Sequence, residues 1–160
     1  MISKVILSVA ASFFLLPNYL PAQSATIIKF SELENILNKK NDTLYVLNFW
    51  ATWCAPCVKE LPNFLKAEAL HKNEKVKFIF VSLNFKREYD TQLIPFLKQR
   101  NITSTVLLLD EPDYNSWIDK VEKTWQGSMP STLIFNKGLR KFYEKDFTFD
   151  ELEKEIKSFN

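Results

Sequence analysis

Two continuous apolar runs, residues 43–49 and 76–83, frame a stretch of helical spacing over residues 54–70. A run without polar alternation predicts a strand buried on both faces. Strand, long helix, strand predicts a βαβ unit with parallel pairing. Ahead of it, Ser31-Glu32-Leu33-Glu34 has the form of a capping box, and Leu33, Ile36 and Leu37 follow on one helical face. Asn41-Asp42 reads as a turn. Further on, residues 93–99 read as a helix whose start is restricted by Pro95, residues 105–109 as a strand, and residues 115–125 as an amphipathic helix. Residues 132–135 read as a strand, Asn136-Lys137-Gly138 as a tight turn, and residues 139–143 as the antiparallel partner. Thr148-Phe149-Asp150-Glu151 forms a second capping box, and Leu152, Ile156 and Phe159 make one stripe on a closing helix. The order is βαβ, an inserted helix–strand–helix, then ββα. That predicts an α/β fold with a central mixed β-sheet flanked by helices.

The first residues follow a different pattern. Lys4 is the only charge among the first 24 residues. Residues 5–16 are apolar apart from Ser8 and Ser12, Pro17 and Pro21 interrupt the run, and Ala22-Gln23-Ser24-Ala25 offers small residues for cleavage. This shape predicts a signal peptide over residues 1–24, cut near residues 22–25, and a single domain over residues 25–160. The apolar run falls short of the ~20 residues that cross a bilayer comfortably. An uncleaved anchor and a buried helix are the alternatives.

Composition narrows the function classes. The 160 residues are 46% hydrophobic and 25% charged, which suits one folded domain and excludes a disordered chain. Net charge is +2 with both signs interspersed, so no basic stripe points to nucleic acid. Protein partners or small molecules are expected instead.

Only two cysteines are present, Cys54 and Cys57. A stapled secreted scaffold uses more cysteines, spread further apart, so the pair points to chemistry. A thiolate, not a thiol, attacks a disulfide. Cys54 follows a strand and stands where a helix begins, with Pro56 suited to the first helical turn. Unpaired N–H groups and the positive dipole end would stabilise a negative sulfur there. Cys57 lies one turn on, on the same face, as the more buried resolving thiol. The alternative is half of a zinc site. It would need carboxylates or a second chain, because His71 is the only histidine. No metal and no cofactor are expected.

The segment from Asn48 to Pro62, NFWATWCAPCVKELP, closely resembles the active-site segment of the TlpA/ResA-like branch of the thioredoxin superfamily. Met129-Pro130-Ser131-Thr132-Leu133-Ile134-Phe135 resembles that family's cis-proline loop and following strand. The inserted unit between the two is also typical of that branch. The resemblance covers residue 43 to the C-terminus. It implies a thioredoxin-like fold, a Cys54/Cys57 dithiol–disulfide flanked by Trp53, Ala55 and Pro56, and Pro130 as a cis-proline facing it. The Met129 backbone would then pair with an extended partner segment. An ordinary trans-proline at a strand start is the alternative. The Pro62 counterpart kinks the helix. Trp53 is expected to cover the disulfide at the surface, with Trp50 packed beneath.

Thioredoxin carries a buried aspartate at the place of Asn48, so that proton route is absent here. The branch often has a glutamate at the place of Glu60, which would accept or relay the Cys57 proton. A solvated carboxylate that merely complements the helix dipole is the alternative. His71 ends the helix and reads as structural. The resemblance implies an exported protein thiol–disulfide oxidoreductase, typically a reductant, with protein disulfide or dithiol substrates and a membrane-bound electron donor. A peptide-binding or chaperone module with a permanent disulfide is the second reading. Peroxide reduction ranks below both, because the chain lacks the isolated cysteine, preceded by Thr and Pro, of a neighbouring peroxidase family.

Overall fold

The computed structural model describes residues 23–159. The predicted signal segment lies almost wholly outside them. Six strands form one mixed sheet in the order β1-β4-β3-β2-β5-β6. They are β1 Thr26–Ile28, β2 Leu44–Trp50, β3 Val76–Ser82, β4 Val106–Leu109, β5 Ser131–Phe135 and β6 Arg140–Tyr143. The first four are mutually parallel; β5 runs antiparallel to β2, and β6 antiparallel to β5. The βαβ unit is the pair β2–β3 joined by α2, Ala55–Leu70. β4 is inserted between β3 and the edge strand β1.

Alternation along β2 sorts its side chains to two cores. Val46 and Trp50 enter one core with Cys57, Leu61 and Phe64 of α2 and with Leu152 and Ile156 of α5, Phe149–Lys157. Tyr45, Leu47 and Phe49 enter the other, with Phe30, Leu33 and Leu37 of α1, Phe30–Leu37, and with Trp117 and Val121. Asn48 shares the α2-facing side with Val46 and Trp50, and Thr132 lies directly opposite it on β5. One polar side chain in an otherwise apolar strand is thereby aimed at α2.

Three expectations are corrected. The first helix begins before Ser31: Glu32 reaches back to accept from the Lys29 N–H at 2.9 Å, so Lys29 is the cap. The pattern of residues predicts no strand where β1 lies; it is three residues at an edge with one buried side chain. The helix predicted over residues 115–125 is a 3₁₀ turn, Tyr114–Ser116, and one short turn, α4, Ile118–Val121. It stops because the Arg140 guanidinium donates to the Val121 carbonyl at 2.7 Å, and Glu122 turns extended. The helix predicted over residues 93–99 becomes α3, Ile94–Gln99, entered through a widened turn, Tyr89–Leu93. Pro95 sits in its first turn, where no N–H is required. At the chain's other end Thr148 caps α5, and Glu151 returns to the Thr148 N–H at 2.9 Å, as the sequence predicts.

Candidate active site

β2 delivers the chain into the site. Ala51 accepts from the Cys54 N–H at 3.1 Å, and Cys54 becomes the N-cap of α2, with Pro56 in the first turn. Its Sγ faces the Cys57 N–H at 3.4 Å. Cys54 and Cys57 are joined in a disulfide with Cα atoms 5.3 Å apart. Cys57 has no exposed surface, whereas Cys54 keeps 7%. Cys54 is thus the less buried half of the pair.

The surroundings divide into a rim and a floor. On the rim, Ala55 and Pro56 are exposed and Trp53 is half exposed. Trp53 opens onto a groove of about 500 Å³ whose other walls include Tyr114, Ile118, Trp125 and Met129. Gly127 turns the chain into this wall at φ +84°, a backbone that side chains disfavour. The Met129–Pro130 bond is cis. Since Ser131 pairs with Phe49, this bond lies at the end of β2 from which the cysteine loop departs. On the floor, Trp50 is wholly buried against Phe96. Pro62 lies inside α2, where it withholds a donor from the Val58 carbonyl.

Glu60 is not a solvated carboxylate. It is 2% exposed. Asn48 Nδ2 donates to Oε1 at 2.8 Å, and the Phe147 N–H donates to Oε2 at 2.8 Å. Burial pushes its carboxyl up to about 7, the Phe147 and Asn48 donors hold it down, and the Asp146 charge adds to the rise. A carboxyl poised near neutrality one turn beyond Cys57 can take or return a proton in the working pH range.

Sequence reasoning missed the two partners that complete this group. Thr132 Oγ1 accepts the second Asn48 Nδ2 hydrogen at 3.3 Å. Phe147 is pinned to α2 from both sides, since the Asn63 side chain donates to its carbonyl at 2.8 Å. Its ring meets Phe64 and Tyr143 edge-on. The sequence signal for Thr132 was its place in the β5 register; Phe147 left none, because a backbone N–H has no side-chain signature.

His71 stands apart from the disulfide at the end of α2. Its ring nitrogens meet Glu74 at 2.8 Å and Glu153 at 2.9 Å. Burial opposes its charge, but the two carboxylates outweigh this and raise its pKa. It ties α2 to α5, the structural role expected of it.

A family model described as AhpC/TSA matches residues 16–140. The chain belongs to this family. Among curated relatives, sporulation thiol-disulfide oxidoreductase A of Bacillus subtilis is 30% identical over 82 residues, 51% of this chain and 50% of that protein. Thiol-disulfide oxidoreductase ResA of Oceanobacillus iheyensis is 31% identical over 112 residues, 68% of this chain and 53% of that protein. The chain thus spans about half the length of the curated relatives it matches. A thioredoxin-related protein from Neisseria meningitidis superposes with a TM-score of 0.63 at 22% identity, covering 76% of this chain and 87% of that one. StoA from Bacillus subtilis gives 0.56 at 23%, covering 74% and 83%. These two likenesses establish the thioredoxin-like fold that the resemblance implied.

Proposed function

We propose that the protein is an exported thiol–disulfide oxidoreductase that reduces protein disulfides through Cys54 and Cys57. The observation that carries this reading is Cys54 at a helix N-cap, the less buried residue of the disulfide pair, beside an open aromatic groove. In the reduced protein the Cys54 thiolate attacks one sulfur of a partner disulfide. A mixed disulfide forms and the other partner sulfur leaves as a thiolate. Cys57, losing its proton to Glu60, then attacks Cys54 Sγ, which restores the internal disulfide and releases the second partner thiol. Two electrons have passed to the partner, and both its sulfurs end as thiols. The edge beside Met129 and the cis Pro130 would hold the partner's extended segment by strand addition.

The reductant direction rests on Ala55 and Pro56, which add no charge that would strongly favour a thiolate at Cys54. Export rests on the signal-like residues 1–24, and such a protein would draw electrons from a membrane-bound donor. The names of the two curated relatives support thiol–disulfide chemistry. Insulin reduction by dithiothreitol tests the reading. The protein should bring precipitation forward severalfold at catalytic concentration. An unchanged lag would favour a binding module whose disulfide is permanent.

A further inference from the structure

Both carboxylate oxygens of Glu60 face N–H donors, Asn48 Nδ2 and the Phe147 backbone. The Phe147 N–H cannot become an acceptor. The Asn48 amide can, because a half-turn about its last side-chain bond exchanges oxygen and nitrogen at almost constant shape. Its oxygen, in a residue 1% exposed, has no hydrogen-bond partner among the described residues. Across the strand, the Thr132 hydroxyl can accept or donate.

We infer that the Asn48 amide turns over as Glu60 gains or loses a proton, with the Thr132 hydroxyl as its second anchor in both orientations. With Glu60 ionised, Nδ2 donates to Oε1 and to Thr132 Oγ1, as in the structure. With Glu60 neutral, Asn48 Oδ1 accepts from the carboxyl proton on Oε1 and from the Thr132 hydroxyl. The unpartnered atom then changes from a carbonyl oxygen to an amide nitrogen, so each state leaves one Asn48 group unmet, and neither is prohibitive. Asn48 carries no proton. It is a positioning residue that lets the buried carboxyl exist in either form. The charged groups around Glu60 do not replace it. Asp146 faces Glu60 from the loop ahead of α5. Lys59 on α2 is exposed, and β2 and β5 contribute only the neutral Asn48 and Thr132. The catalytic relevance of the turn rests on the exchange reading above, with Glu60 as proton partner of Cys57; the turn itself does not.

The test uses the oxidised full chain, in which neither cysteine titrates. Isotope-edited NMR follows the Glu60 carboxyl carbon and the Asn48 side-chain NH₂ from about pH 5 to about pH 9, a span that brackets a carboxyl near neutrality. Nuclear Overhauser contacts from the Asn48 NH₂ to the Thr132 methyl and the Glu60 side chain should be present at high pH. They should vanish at low pH with the Glu60 midpoint. Glu60→Gln should hold the amide in the turned orientation at every pH, since its Nε2 donates where the carboxyl proton did. Thr132→Val leaves an N–H unmet in the ionised state but only a second lone pair unmet in the neutral one. It should raise the Glu60 midpoint by about half a unit to one unit, and Thr132→Ser should restore it. Contacts that stay constant while Glu60 titrates would overturn the inference, as would a Thr132→Val midpoint equal to that of the native protein. Neither readout involves thiol exchange. A protein inactive toward insulin with a turning amide would therefore lose the redox reading alone.

Discussion

Replacing Cys54 by Ser should lower the rate of protein disulfide reduction by roughly a thousandfold or more, because the attacking sulfur is gone. The fold should survive. A serine oxygen is a good N-cap acceptor for the Cys57 N–H that Cys54 Sγ now faces. Cys57→Ser should fail differently. Cys54 can still attack, but nothing releases the mixed disulfide, so turnover stops with the partner held covalently. Mass spectrometry after mixing the reduced variants with oxidised insulin should find the adduct with Cys57→Ser and none with Cys54→Ser. The reverse would exchange the roles assigned to the two sulfurs. The difference in exposure, 7% against none, argues for the order given.

The second large effect lies in stability. Folding raises the Glu60 carboxyl from an ordinary 4.5 to about 7, chiefly through burial. The folded chain therefore holds this proton more tightly than the unfolded one. Its stabilising contribution is complete below about pH 4.5, declines as pH rises toward 7, and is lost above that. The span corresponds to about 3 kcal/mol between pH 4.5 and pH 8. His71 acts in the same direction, since its raised pKa gives stability that is lost as pH rises through the folded value. Glu68, raised by burial, does so as well. The Glu60 share is thus the difference between native protein and Glu60→Gln in denaturant unfolding of the oxidised form across this range. The native curve should fall by about 3 kcal/mol more than that of the variant. Parallel curves would mean that Glu60 titrates as an ordinary carboxylate. The site thus keeps a buried group that destabilises the neutral-pH protein, as the proposed proton transfer to Glu60 requires.

The features that position the disulfide were largely legible in the sequence. The apolar runs became β2 and β3, Pro56 fell in the first turn of α2, and Thr148 with Glu151 capped the start of the last helix. What escaped has physical causes. Strand β1 has too few buried residues to show a pattern. Trp117, Val121 and Trp125 recur at the spacing of a helical stripe, and all three are buried in one core. Yet both indole N–H groups are tied to loop carbonyls, Glu111 at 3.1 Å and Ser128 at 2.9 Å, so the stripe is built from turns. The resemblance singled out Glu60, one turn beyond Cys57. Its burial was not, because the groups that enclose it, Asn48, Thr132 and the Phe147 N–H, come from three segments distant in sequence.

The proposed function requires Cys54–Cys57 to be a working redox couple and not a permanent staple. Its reduction potential tests this most directly, by equilibrating the protein in graded thiol–disulfide buffers and quantifying the two forms. Reversible interconversion is expected with a midpoint near about −270 mV, where a protein reductant operates. A pair that stays oxidised in buffers poised well below about −300 mV would contradict it.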